Sequence, residues 1–97
     1  MWRLIRKKEF VRSPCEVCGY LTFAEAERGR FFICPVCFWE DDGFHGDNPD
    51  EPCDGPNGDL SLNEARRNYK QFGACEQRLV KYVRKPKPEE IPTALAP

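Results

Sequence analysis

The sequence has no apolar run near the ~20 residues that a membrane helix needs. Its opening residues, Met1-Trp2-Arg3-Leu4-Ile5-Arg6-Lys7-Lys8, reach charge without the apolar stretch of a secretory signal, so the expected location is cytoplasmic. Histidine is almost missing. His45 is alone in the chain, and neither Cys53 nor Cys75 has a sequence context that places that imidazole beside it as an activating base. With no catalytic constellation, the chain reads as a non-enzyme. Lys and Arg are absent between Glu40 and Asp59, where eight acids stand, whereas Arg66 to Lys87 holds eight basic residues against Glu76. Residues 1–12 add five basic side chains against Glu9, so the net charge of −1 hides a segregated distribution. Such segregation can mark a polyanion-binding face. The simpler expectation is that the acidic middle and the basic ends compensate one another in the fold.

What the chain does have is cysteine, proline and glycine: six, nine and seven of them in 97 residues. One small domain over residues 1–85 is expected, followed by a semi-extended tail at 86–97 carrying Pro86, Pro88, Pro92 and Pro97 without a Pro-x-x-Pro motif. A chain of this length buries only about 60–65% of its unfolded surface, and a core so small usually needs a staple. Cys15-Glu16-Val17-Cys18 and Cys34-Pro35-Val36-Cys37, fifteen residues apart, supply one. Two Cys-x-x-Cys pairs at this separation have the spacing of a four-thiolate zinc site, and a reducing compartment favours metal thiolates over disulfides. The expected ligands are Cys15, Cys18, Cys34 and Cys37, within a metal module at 13–39. A closed four-cysteine site leaves no position for water or substrate, so its role is structural. Iron is the competing metal and would make a rubredoxin-like electron carrier.

The two pairs are expected to flank a β-hairpin. Tyr20-Leu21-Thr22-Phe23 and Phe31-Phe32-Ile33 have strand composition, and residues 24–30 would connect them through Gly29. Trp2 and Phe10 are expected to fold back over the module, and Phe38, Trp39 and Phe44 to wall it from water. Residues 47–58 read as an ordered acidic loop. Ser61-x-x-Glu64 is a capping box with Leu60 placed as its staple, and Leu62, Ala65, Tyr69 and Phe72 recur on one helical face before Gly73. Leu79 to Val83 fits a short helix or a strand. The fold class is thus small α+β: a zinc-ribbon or rubredoxin-like β-hairpin metal site with one or two C-terminal helices.

Other constellations are weaker. Cys53 and Cys75 could be core thiols, a disulfide, or ligands with His45 in a second site, and the core reading is preferred. Pro56 and Gly58 occupy positions where an EF-hand register needs ligands. Asp41 and Asp42 are adjacent in sequence, which is not convergence in a pocket. They are expected in a solvated loop or as partners of the basic C-terminal segment. A nucleic-acid-binding zinc ribbon is an alternative, opposed by the acids that follow the second pair.

The knuckle residues Cys-x-x-Cys-Gly-Tyr and Cys-Pro-x-Cys are similar to those of rubredoxins and zinc ribbons. Cys18-Gly19-Tyr20-Leu21-Thr22, Ile33 through Gly43, Gly55-Pro56-Asn57, Leu60 through Arg66, Asn68-Tyr69 and Phe72 through Cys75 together resemble the bacterial cysteine-rich CPCC family, over roughly residues 14–90. That resemblance implies metal binding and no assigned reaction. Where the family reads Cys-Pro-Cys-Cys-Gly, this chain has Cys15-Glu16-Val17-Cys18-Gly19, so a middle cysteine is not an essential ligand here. Rubredoxin knuckles usually carry glycine after the second pair, where this chain has Phe38, and zinc is favoured for that reason among others. The functional expectation is a zinc-stapled module that binds another protein, with an immunity or accessory protein as its narrower form.

Overall fold

The computed structural model describes residues 12–43, 47–52 and 55–92. The expectations for Trp2, Phe10, Phe44, His45 and Cys53 lie outside these residues. Two short strands, β1 (Arg12–Ser13) and β2 (Phe23–Ala24), pair antiparallel, with Arg12 opposite Ala24 and Ser13 opposite Phe23. They carry the first cysteine pair at their closed end. The second pair sits in its own narrower loop, closed by an antiparallel bridge between Ile33 and Glu40.

This pairing corrects the expected hairpin. β2 returns to β1, and Phe31–Ile33 turns towards Glu40 and Asp41, so each knuckle is closed by its own flanking residues. The segment between the pairs is a 3-10 turn, Glu25–Glu27, whose Glu27 carboxylate accepts from the Ala24 N–H at 2.8 Å. The chain then bulges. Phe31 donates its N–H to the Asp41 carbonyl at 2.9 Å and Asp41 donates to the Phe32 carbonyl at 3.0 Å, so two residues face one. Phe31 takes a left-handed φ of 66° to do so. Broken alternation leaves Phe31, Phe32 and Ile33 all exposed. On its outer side Glu40 is met by Asn57, whose amide accepts from the Glu40 N–H (3.0 Å) and donates to its carbonyl (2.8 Å), as a neighbouring strand would.

Helix α1 (Leu62–Phe72) starts and stops where the sequence signals say. Ser61 Oγ accepts from the Glu64 N–H at 3.1 Å, a cap worth about 1 kcal/mol. Gly73 ends the helix in the left-handed conformation, φ 90°, with its N–H on the Tyr69 carbonyl. Leu62 and Ala65 are buried against the knuckles. The ambiguous stretch after it resolves as a 3-10 helix, Gln77–Tyr82, which buries Leu79. The core gathers Trp39, Phe23, Leu62 and Val36 around the cysteines. Beyond Pro86 the described chain departs from the expected extended tail. Pro88–Glu90 is a 3-10 turn, Glu90 is buried, and its carbonyl accepts from the Leu21 N–H at 2.7 Å. Among the described residues no helix is long and apolar enough to cross a membrane.

Candidate metal centre

Both cysteine pairs adopt one backbone design. In the first, the Gly19 N–H returns to the Cys15 carbonyl (2.9 Å) and the Cys15 N–H donates to the Tyr20 carbonyl (2.9 Å). In the second, Phe38 returns to Cys34 and Cys34 donates to Trp39, both at 2.8 Å. The residue after each pair must be left-handed to close this turn, and it is: Gly19 at φ 81° and Phe38 at φ 72°. Phenylalanine does not prevent the turn; its ring packs tilted on Tyr82, with centroids 5.6 Å apart. The carbonyl that follows the first cysteine of each pair is held from the C-terminal half. Arg66 Nε donates to the Glu16 carbonyl at 2.8 Å, and the Arg84 N–H to the Pro35 carbonyl at 3.1 Å.

The two knuckles face each other and bring the Sγ atoms of Cys15, Cys18, Cys34 and Cys37 within 4.8 Å of one another. Cys15 and Cys37 are 3.5 Å apart, and Cys18 and Cys34 are 3.7 Å apart. Four sulfurs about 2.3 Å from a central zinc would form a tetrahedron with edges of about 3.8 Å. The donor set and its spacing therefore fit a four-thiolate metal, and the four cysteines could hold one ion. Cys15, Cys34 and Cys37 are buried, and Cys18 is half-buried.

The surrounding polar groups are unequal. Thr22 Oγ1 lies 3.1 Å from Cys34 Sγ, and the Val17 N–H donates to Cys15 Sγ at 3.4 Å. Hydrogen bonding from Cys15, then from Cys18 and Cys37, holds the Cys34 thiol well below its ordinary range against the opposing effect of burial, and Thr22 adds to the lowering. Cys15 is pushed upward, chiefly through its contact with Cys18, and Cys37 chiefly through its contact with Cys15. Crowded thiols cannot all ionise together without a cation among them. Val17 is a core residue here.

A second polar cluster ties the knuckles together. Arg28 donates to Asp41 Oδ2 (2.7 Å), Ser13 Oγ (2.8 Å) and Glu16 Oε1 (3.1 Å), and the Gly29 N–H also reaches Asp41 Oδ2 at 3.0 Å. Asp41 is only 1% exposed. The expectation of a solvated loop, or of a partner in the basic C-terminal segment, is thus corrected for Asp41: its cation comes from between the cysteine pairs. Burial, then the Asp41 charge, raises the Glu16 carboxyl above its ordinary value. Arg84 likewise finds its acid nearby, gripping Glu90 with two bonds of 2.9 Å.

Cys75 stands outside the cluster. It is a buried free thiol, pushed up to about 12 by burial, and its N–H donates to the Cys37 carbonyl at 2.8 Å. It therefore supports the second knuckle from behind. Sequence reasoning missed Thr22, Arg28, Asp41 and Glu90 as partners. Thr22, a hydroxyl between Leu21 and Phe23 near a knuckle, was the most readable of the four.

Residues 13–90 match the family model for cysteine-rich CPCC proteins, and no curated protein matches the chain. The match takes in both knuckles, α1 and the chain as far as buried Glu90. The chain belongs to the cysteine-rich CPCC family.

Proposed function

We propose that Cys15, Cys18, Cys34 and Cys37 hold one zinc ion as a structural staple of zinc-ribbon type, and that the domain so fixed is a protein-binding module rather than an enzyme. The observation that carries this reading is the closed set of four mutually adjacent sulfurs, three of them buried. A bound ion would be saturated by the chain's own thiolates, which leaves it no position for substrate. Zinc supplies charge and tetrahedral preference; the chain supplies two matched turns, the Thr22 hydroxyl and the hydrophobic wall of Trp39, Phe23 and Leu62. A cytoplasmic location accords with thiols kept reduced. Elemental analysis of anaerobically purified protein should give one zinc per chain, and affinity capture should recover a defined protein partner. Recovery of no partner, together with turnover of a small molecule by the pure chain, defeats the reading. An immunity or accessory protein acting on one toxin or enzyme remains its narrower form.

Iron is the second reading, and one observation favours it. Phe38 reaches the left-handed conformation that glycine takes in the first knuckle, so its presence does not remove the rubredoxin-like turn. A red protein with stoichiometric iron that bleaches reversibly on reduction would establish the electron-carrier alternative. The nucleic-acid reading predicts salt-dependent retention on DNA or RNA.

A further inference from the structure

An open groove of about 300 Å³ lies between the end of α1 and the segment that follows it. Val36, Phe72, Val80, Val83 and Pro86 give it apolar walls, and Arg84 and Lys85 also line it. Its lining holds two cations and no carboxylate. Arg84 is engaged by Glu90, and Lys85 is the exposed rim charge, with no ion-pair partner among the described residues. Val80 is 42% exposed and the nearby Tyr82 60% exposed. Apolar surface left in water beside charge of one sign is the anatomy of an interaction site.

We propose that this groove docks an acidic peptide segment of a partner protein, with an apolar side chain seated between Phe72 and Val80 and neighbouring carboxylates meeting Lys85. The proposal rests on the protein-binding reading above and adds the face used and the charge of the partner. Charge complementarity selects an acidic occupant. The mainly aliphatic walls suit a peptide side chain better than a stack of bases. Val36 lies between Cys34 and Cys37, so the occupant would sit directly behind the second knuckle.

The test uses the full metal-loaded chain and a fluorescein-labelled amphipathic peptide of about 15 residues with leucine and phenylalanine on one face and glutamate on the other, a length of about four helical turns. A lysine-for-glutamate version and a single-stranded oligothymidylate serve as comparison probes. Fluorescence anisotropy should show saturable binding of the acidic peptide, weaker at high salt, and about tenfold weaker in both Val80→Asp and Lys85→Glu. Phe32→Ser, on the other exposed apolar stretch, should bind as the parent does. Metal content of each variant verifies that it has folded. The groove assignment is overturned if the peptide fails to bind, if Val80→Asp and Lys85→Glu leave binding unchanged, or if the oligothymidylate binds in its place. It is also overturned if light scattering shows a dimer that Val80→Asp dissociates, since a second copy would then be the occupant. A natural partner that captures Val80→Asp as tightly as the parent removes the groove but keeps the protein-binding reading. Absence of any captured partner removes that reading separately.

Discussion

Phe38 occupies in the second knuckle the left-handed position that Gly19 occupies in the first, and each closes its turn with an N–H returned to the leading cysteine's carbonyl. A side chain with a Cβ is strained there by about 1–2 kcal/mol. The Phe38 ring, packed against Tyr82 and the core, offsets that strain. Two variants separate the terms. Phe38→Ala and Phe38→Gly both lose the ring, but only glycine escapes the strain. Phe38→Gly is expected to be the more stable by about 1 kcal/mol in urea unfolding of the metal-loaded protein. Equal stabilities would show that the turn carries no left-handed strain.

The cluster and the buried thiol behind it should respond differently to substitution. Cys34→Ala is expected to abolish stoichiometric metal and, with it, cooperative folding, because a four-thiolate zinc can contribute about 10–16 kcal/mol in apparent terms. Cys75→Ala should keep one metal per chain and lose about 1–2 kcal/mol through the small cavity it leaves. Chelator titration followed by circular dichroism reads both. Metal loss in Cys75→Ala would place Cys75 among the ligands.

The Thr22 hydroxyl lies 3.1 Å from Cys34 Sγ, within hydrogen-bond reach of the cluster. Thr22→Val conserves shape and removes that hydrogen bond. Metal affinity, measured by competition with a chromophoric chelator, should fall about 10–100-fold, while Thr22→Ser restores most of it. An unchanged affinity in Thr22→Val would assign the hydroxyl to packing alone.

Arg28 is shared by two carboxylates, so losing the cation and losing one acid are unequal changes. Arg28→Met leaves Asp41 charged, buried and without its guanidinium, at an expected cost of about 3 kcal/mol. Asp41→Asn removes one of the two competing negative charges and should cost less, about 1–2 kcal/mol. Denaturant midpoints decide the order, and a larger loss in Asp41→Asn would contradict the shared-cation account.

Glu90 carries a pH signature. Its hydrogen bonds from Arg84 hold the carboxyl below its ordinary value of 4.5, against the opposing effect of burial. A carboxyl whose folded pKa is depressed contributes stability above its unfolded pKa and loses that contribution as pH falls through the folded value. The stability difference between the parent and Glu90→Gln should therefore be present at pH 7, begin to shrink below about pH 4.5 and vanish at lower pH. Comparing the two proteins at each pH cancels protonation of the cysteines. A difference that grows on acidification would give the shift the opposite sign.

Local chemistry made much of this molecule readable. Cysteine spacing identified the four thiols that the fold brings together, and Ser61, Glu64 and Gly73 marked α1 because caps act through their own neighbouring backbone. Pairing partners were not local. Composition marked Phe31–Ile33 as strand-forming, yet residues beyond each knuckle compete for the same hydrogen bonds, and tertiary packing chose β1 with β2 and Ile33 with Glu40. Asp41 looked like one acid in an acidic run until the fold buried it on Arg28. Glu90 looked like tail until the chain returned to Leu21.

The sequence by itself determined that four thiols would be available in two matched turns and that a capped helix would follow them, since both depend on contacts a few residues apart. Only the tertiary structure decided which strands close the knuckles, which cation neutralises Asp41 and which walls border the basic groove. Those choices depend on groups far apart in the chain, whose energies exist only after the core around Trp39 has brought them into contact.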